Sequence, residues 1–240
     1  MNASRECWCW ALFSVACVVI ITGCTNLPSA QPTIRVSYTC QDFDQARWVS
    51  FKFGSDSPED VTSTIANLRK FDQGKIEFTP LASSFLVAKW TTDRERYEAL
   101  FQEDRLLRIY VRWSQPLPSF AQIVECLGSP DLYSAVYQQS EVQEFNLGLW
   151  YLERGFVVDG YSFHDHFQPP EVTPNYPMRG FTVVAPGNPE QMISGVYLDG
   201  DAATVQAEVM RLLKPWPGSI DAIEVDSCLD SPSLCRTDAP

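Results

Sequence analysis

Histidine is nearly missing from this chain. Two of its 240 residues are His, both in Tyr161-Ser162-Phe163-His164-Asp165-His166, so imidazole chemistry has one place to occur. A Ser or Cys nucleophile would need one of them as its base, and there is no Gly-x-Ser-x-Gly elbow. No Cys-x-x-Cys pair and no Cys/His cluster at zinc spacing occurs either. Positive charge is also scarce: 18 Lys and Arg stand against 30 Asp and Glu, a net charge of −12. That deficit argues against a nucleic-acid partner and against broad contact with anionic lipid headgroups. The surplus acid is read as keeping an exported domain soluble, and its abundance makes any one pair of carboxylates arbitrary as a glycosidase pair. Long apolar runs are absent as well. The apolar stretch near the N-terminus, Trp8–Ile21, has 14 residues and no charge, short of the roughly 20 that span a bilayer.

What is present begins with that stretch. Its length is that of a secretory h-region, with Arg5 on its N-terminal side and Glu6 beside it. No Ala-x-Ala pair follows directly. Instead Ile21-Thr22-Gly23-Cys24 resembles the bacterial lipobox: a branched aliphatic, a small or branched residue, Gly, then Cys. The resemblance implies diacylglyceryl attachment to the Cys24 thiol, cleavage before Cys24, and an acylated new amino terminus. Two or three acyl chains at about 0.8 kcal/mol per buried methylene hold a soluble domain on a membrane. Residues 1–23 are therefore expected to be a lipoprotein signal peptide, and 24–33 the lipidated Cys with a polar tether. The expected location is a bacterial cell envelope, with membrane lipid engaged through acylated Cys24 and the domain on the extracytoplasmic side.

Cleavage there would remove Cys7, Cys9 and Cys17 and use Cys24, leaving Cys40, Cys126, Cys228 and Cys235. An exported location permits disulfides. Cys228 and Cys235 flank a turn-prone stretch containing Pro232 and are expected to pair. Cys126 lies on an apolar helix and reads as a reduced core side chain, with Cys40–Cys126 pairing left open.

The remaining chain reads as α+β. Ser57-Pro58-Glu59-Asp60 starts a helix with Val61, Ile65 and Leu68 on one face, ending near Lys70. A second helix starts at Ser119, carries Phe120, Ile123, Val124 and Leu127, and stops at Gly128. Strand-like runs follow each: Ser84–Trp90, Tyr97–Gln102 and Leu106–Trp113, then Leu132–Gln139, Phe145–Tyr151 and Phe156–Phe163. Turn residues at Asp93, Glu103-Asp104 and Glu153-Arg154-Gly155 separate them. The fold class expected is two tandem helix-plus-antiparallel-hairpin units over residues 34–167, with Gln73–Ala82 as extra residues in the first. A Pro-rich connection follows at 168–177. A C-terminal section spans 178–225, with strands at Met178–Ala185 and Gly195–Leu198, a helix capped by Asp201 and a last strand at Ile220–Val225. Residues 226–240 read as a polar irregular tail.

This layout, with the Leu-Gly-Ser-Pro-Asp helix exit at Leu127–Asp131, is similar to two groups over residues 57–163. One is the envelope-assembly lipoproteins that accompany the outer-membrane protein insertion machine. The other is the tandem-repeat β-lactamase-inhibitor proteins. The resemblance implies a sheet face that binds other proteins.

Three constellations carry chemistry. His164 and His166 at i, i+2, with Asp159 on the same strand, have metal-ligand character; the plainer reading, adopted here, is a polar strand exit before a proline-rich loop. Leu198-Asp199-Gly200-Asp201 begins like a calcium loop without continuing as one, and Asp201 is better read as an N-cap. In Arg105–Trp113, Leu107, Ile109, Val111 and Trp113 are expected to point inward and Arg108, Tyr110 and Arg112 outward. That basic, aromatic stripe is of interface type, with cross-strand pairing to Glu98 or Glu103 as its plainer explanation. The function expected is a lipid-anchored, non-enzymatic binding or envelope-assembly module with no cofactor and a protein partner. The alternative is a lipid-anchored hydrolase using His164 and His166.

Overall fold

A computed structural model describes residues 38–43, 48, 50–67, 76–82, 84–138, 143–164, 171–196 and 202–227. Cys24, His166, Cys228 and Cys235 lie outside the described residues, as does the side chain of His164. Among the described residues are four α-helices and a ten-stranded, mostly antiparallel sheet, so the chain is α+β.

Helix α1 (Pro58–Asn67) starts at a reciprocal cap. Ser57 Oγ accepts from Asp60 N at 3.2 Å, and Asp60 Oδ2 accepts from Ser57 N at 3.0 Å. The hydrogen bonds that Ser57 N and Ser57 Oγ donate to the Asp60 carboxyl hold it below its usual pKa. Strands β1 (Glu77–Ala82), β2 (Phe85–Thr91), β3 (Glu95–Gln102) and β4 (Arg105–Trp113) form one antiparallel meander. Helix α2 (Phe120–Leu127) follows, with the capping box Ser119/Gln122. Strands β5 (Leu132–Gln138), β6 (Gln143–Tyr151) and β7 (Phe156–His164) form a second meander. Then come β8 (Gly180–Val183), α3 (Pro189–Val196), α4 (Ala202–Leu212), β9 (Lys214–Pro215) and β10 (Asp226–Ser227).

The strand order is β1-β2-β3-β4-β8-β7-β6-β5-β10, with β9 also on β5. Strand β8 thus joins the two meanders, pairing antiparallel with β4 on one side and β7 on the other. The C-terminal section supplies the centre of the sheet.

One sheet face carries the larger core. Phe101, Leu106, Ile109, Phe145, Leu147, Phe156 and Val158 are buried there under Val61 and Ile65 of α1 and Phe120, Ile123 and Leu127 of α2. A smaller cluster forms on the opposite face, where Trp150, Val157 and Val184 meet Met192 and Ile193 of α3 and Val209 of α4.

Four readings from sequence change. Cys126 is not a reduced core thiol: it is bonded to Cys40, 86 residues away, tying the 3-10 turn Cys40–Phe43 to the end of α2. Helicity alone did not disclose a partner from a distant turn. Gln73–Ala82 is more than spare chain, because residues 77–82 make edge strand β1, whose Pro80 is tolerated there. Gly195–Leu198 was expected as a strand, yet Gly195 ends inside α3, which starts at a box formed by Asn188 and Gln191. Ile220–Val225 is no strand. Ile220–Ala222 is a 3-10 turn, and the pairing falls two positions beyond Glu224, at Asp226–Ser227 on β5.

Candidate functional site

Successive strand residues point to opposite faces, so cross-strand register decides which side chains meet. Across the face that bears α3 and α4, one row reads Lys89, Glu98, Tyr110, Thr182, Val157 and Trp150. The next reads Arg96, Arg112, Gly180, Asp159, Gly148 and Ser134. The predicted stripe Arg108, Tyr110 and Arg112 lies on this face, but its three members have different surroundings.

Arg108 is half-buried, and its guanidinium donates to the Val196 carbonyl. That carbonyl sits at the end of α3, where helix acceptors lack intrahelical donors. Arg108 therefore ties a helix to the sheet. Tyr110 lies over Gly180, its hydroxyl 3.2 Å from where a Cβ would be. The missing side chain lets the phenol reach across β8 toward Asp159, close enough for the two groups to perturb each other. Burial first, and the Asp159 charge second, push the Tyr110 pKa up. Only Arg112 of the three is exposed, and its Nη2 donates to Tyr161 Oη at 3.0 Å. The stripe's expected acidic partner pairs elsewhere: Glu98 makes an ion pair with Lys89 at 3.2 Å.

The inward set also differs by one residue. A bulge shifts pairing from Leu100↔Arg108 to Phe101↔Leu106, so Leu106 is buried and Leu107 is the extra, partly exposed residue. Ile109, Val111 and Trp113 do point inward.

Register also places Arg96 of β3 directly opposite Arg112 of β4. Both are exposed, and among the described residues neither makes an ion pair. Beside them, the Arg179 guanidinium stacks 5.0 Å from the Tyr161 ring centroid while its Nε donates to Tyr161 O at 3.2 Å. Tyr161 in turn meets Phe163, which is 62% exposed, at 5.8 Å. Three arginines and two aromatic rings thus share one corner of the sheet. Arg112 was found from strand alternation; Arg96, Arg179 and Tyr161 were missed, because only the register of three strands assembles them.

Asp159 lies between Gly180 and Gly148 in its row. Burial pushes its pKa up to about 7, against the opposing pull of its own backbone N–H, the Arg112 charge and the Tyr110 hydroxyl. The residue keeps some exposed surface. Asp159 and His164 stand five residues apart on extended β7, roughly 16 Å along the strand, so the strand does not bring them to one ion. Among the described residues no group of three His, Cys, Asp or Glu could hold a metal, and no helix is long and apolar enough to cross a membrane.

Compared with protein-family models, curated proteins and solved structures, the chain matches none.

Proposed function

We propose that this chain is an exported lipoprotein, anchored by acylated Cys24, that acts without chemistry of its own by presenting a sheet face to a protein partner. The observation that carries the reading is the Arg96–Arg112 pair. Like charges directly opposite on neighbouring strands destabilise a sheet, and here they stand exposed in a chain of net charge −12. An acidic segment of a partner would relieve that repulsion. Arg179 stacked on Tyr161, with exposed Phe163 beside it, adds the residue types that dominate binding hot spots. The Cys40–Cys126 bond fits an oxidising compartment.

In this reading the two helix-led meanders are tandem copies of one unit, joined by β8, in the manner of the envelope-assembly lipoproteins. Crosslinking in native membranes should recover a partner with the natural chain and lose it with Arg96→Glu/Arg112→Glu. The double variant sets two carboxylates opposite each other where two guanidiniums stood, so the cross-strand repulsion is of similar size and the melting temperature should stay close to the natural one. Undiminished recovery with a folded double variant would overturn the proposal.

A further inference from the structure

The row that carries the arginine pair also carries one acid. Read across four strands from β3, it runs Arg96, Arg112, Gly180, Asp159. Only Gly180 separates Arg112 from Asp159, and neighbouring strands stand about 4.8 Å apart, so the two backbone positions lie about 10 Å from each other. No Lys, Arg or His among the described residues comes within ion-pair distance of the Asp159 carboxyl.

The surroundings of this carboxyl can be named element by element. Strand β4 sends the Tyr110 phenol, whose hydroxyl lies over Gly180, and the Arg112 guanidinium. Tyr161 follows two residues along β7 itself. Arg179, just ahead of β8, donates its backbone N–H to the Asp159 carbonyl but turns its guanidinium to Tyr161. Strand β6 brings Gly148, with Ser134 of β5 beyond it. Helix α4 brings Val205, Val209 and Leu212 to a cavity of about 310 Å³ whose wall Asp159 shares. Arg112 is thus the cation that acts on Asp159.

Burial disfavours the charged carboxyl and Arg112 favours it; the first prevails, and the pKa is pushed up to about 7. Asp159 keeps some exposed surface, so protons reach it from solvent. With Asp159 protonated, Arg96 and Arg112 face solvent with their charge undiminished. With Asp159 ionised, a negative charge lies behind Arg112 in the row and lowers the potential that an acidic segment meets.

We propose that Asp159 is a proton-operated gate on the arginine corner: protonated, it leaves Arg112 to an acidic segment, and ionised, it competes with that segment. The inference rests on the reading of this corner as the docking face for an acidic partner. Coupling runs both ways, so an acid docked on Arg112 raises the pKa of Asp159, and the same factor appears in its affinity. A rise of about half to one unit corresponds to binding about three- to tenfold tighter below the midpoint than above it.

The test is binding of a capped hexaglutamate peptide to the full chain from about pH 6 to 8.5, where the peptide stays ionised. Affinity should fall about three- to tenfold toward the alkaline end. The Asp159 carboxyl, followed by its ¹³C resonance, should titrate at higher pH with the peptide than without it. Asp159→Asn, neutral throughout, should bind over the whole range as the natural chain binds at the acid end. Equal affinity at both ends would overturn the gate and leave the docking face standing. An undiminished pH dependence in Asp159→Asn would also overturn it and assign the effect to His164 and His166. If that variant does not fold, the natural chain decides: a carboxyl midpoint unmoved by bound peptide overturns the gate. Absence of binding at every pH would overturn the docking face itself, and the gate with it.

Discussion

At the scale of single residues, burial and register set the chemistry. Asp159 shows it most directly, because its pKa is pushed up to about 7 chiefly by desolvation. In the unfolded chain the same carboxyl titrates near pH ~3.9. Between those values the folded protein binds more protons than the unfolded one, so the contribution of Asp159 to stability falls as pH rises from about 4 to about 7. Asp159→Asn removes that dependence. The variant should gain on the natural protein across this window, by at most about 4 kcal/mol above pH 7. Melting temperatures measured from pH 4 to 8 would show two diverging curves; parallel curves would mean that the carboxyl stays ionised in the folded state.

At the scale of elements, much was legible because it depends on local pattern. The meander strands announce themselves by alternation, and α1 and α2 by their caps and i, i+3, i+4 spacing. What stayed hidden depends on partners. Strand β1 carries Pro80 and is exposed from Glu77 to Leu81, so no buried face marks it. The bulge opposite Leu100 has no signature in Leu106-Leu107, two identical residues of which only one is buried. Helix α3 was readable in principle, since Asn188-Pro189 is a good N-cap and first-turn pair, but Gly195 diverted the reading toward a strand. The arginine corner could not be read whole, because Arg96 and Arg112 meet only through the register of β3 with β4, and Arg179 joins them only where the chain before β8 bonds to Trp113 and Asp159. The β3–β4 turn offers a test of element-level reasoning. Glu103 and Asp104 both adopt positive φ, at 50° and 60°, in a two-residue hairpin that favours Asn-Gly. Glu103→Asn/Asp104→Gly should stabilise the fold by about 1 kcal/mol, seen as a higher urea midpoint with an unchanged slope.

At the scale of the whole molecule, long-range connections dominate. The Cys40–Cys126 bond closes a loop across 86 residues, worth about 4.6 kcal/mol by loop entropy. Cys40→Ser/Cys126→Ser should lower stability by about 2–5 kcal/mol, read as a reduced melting temperature. An unchanged value would show that packing of the turn against α2 suffices alone. The position of β8 has a consequence of another kind, in the timing of synthesis. Strands β4 and β7 are complete by residue 164, but the strand that joins them begins at Gly180. Until that stretch leaves the ribosome and reaches its slot, both inner strands present open edges of the sort that recruit foreign strands. For a chain exported as proposed above, crossing the membrane before folding would keep both edges from ever being offered to a crowded cytoplasm.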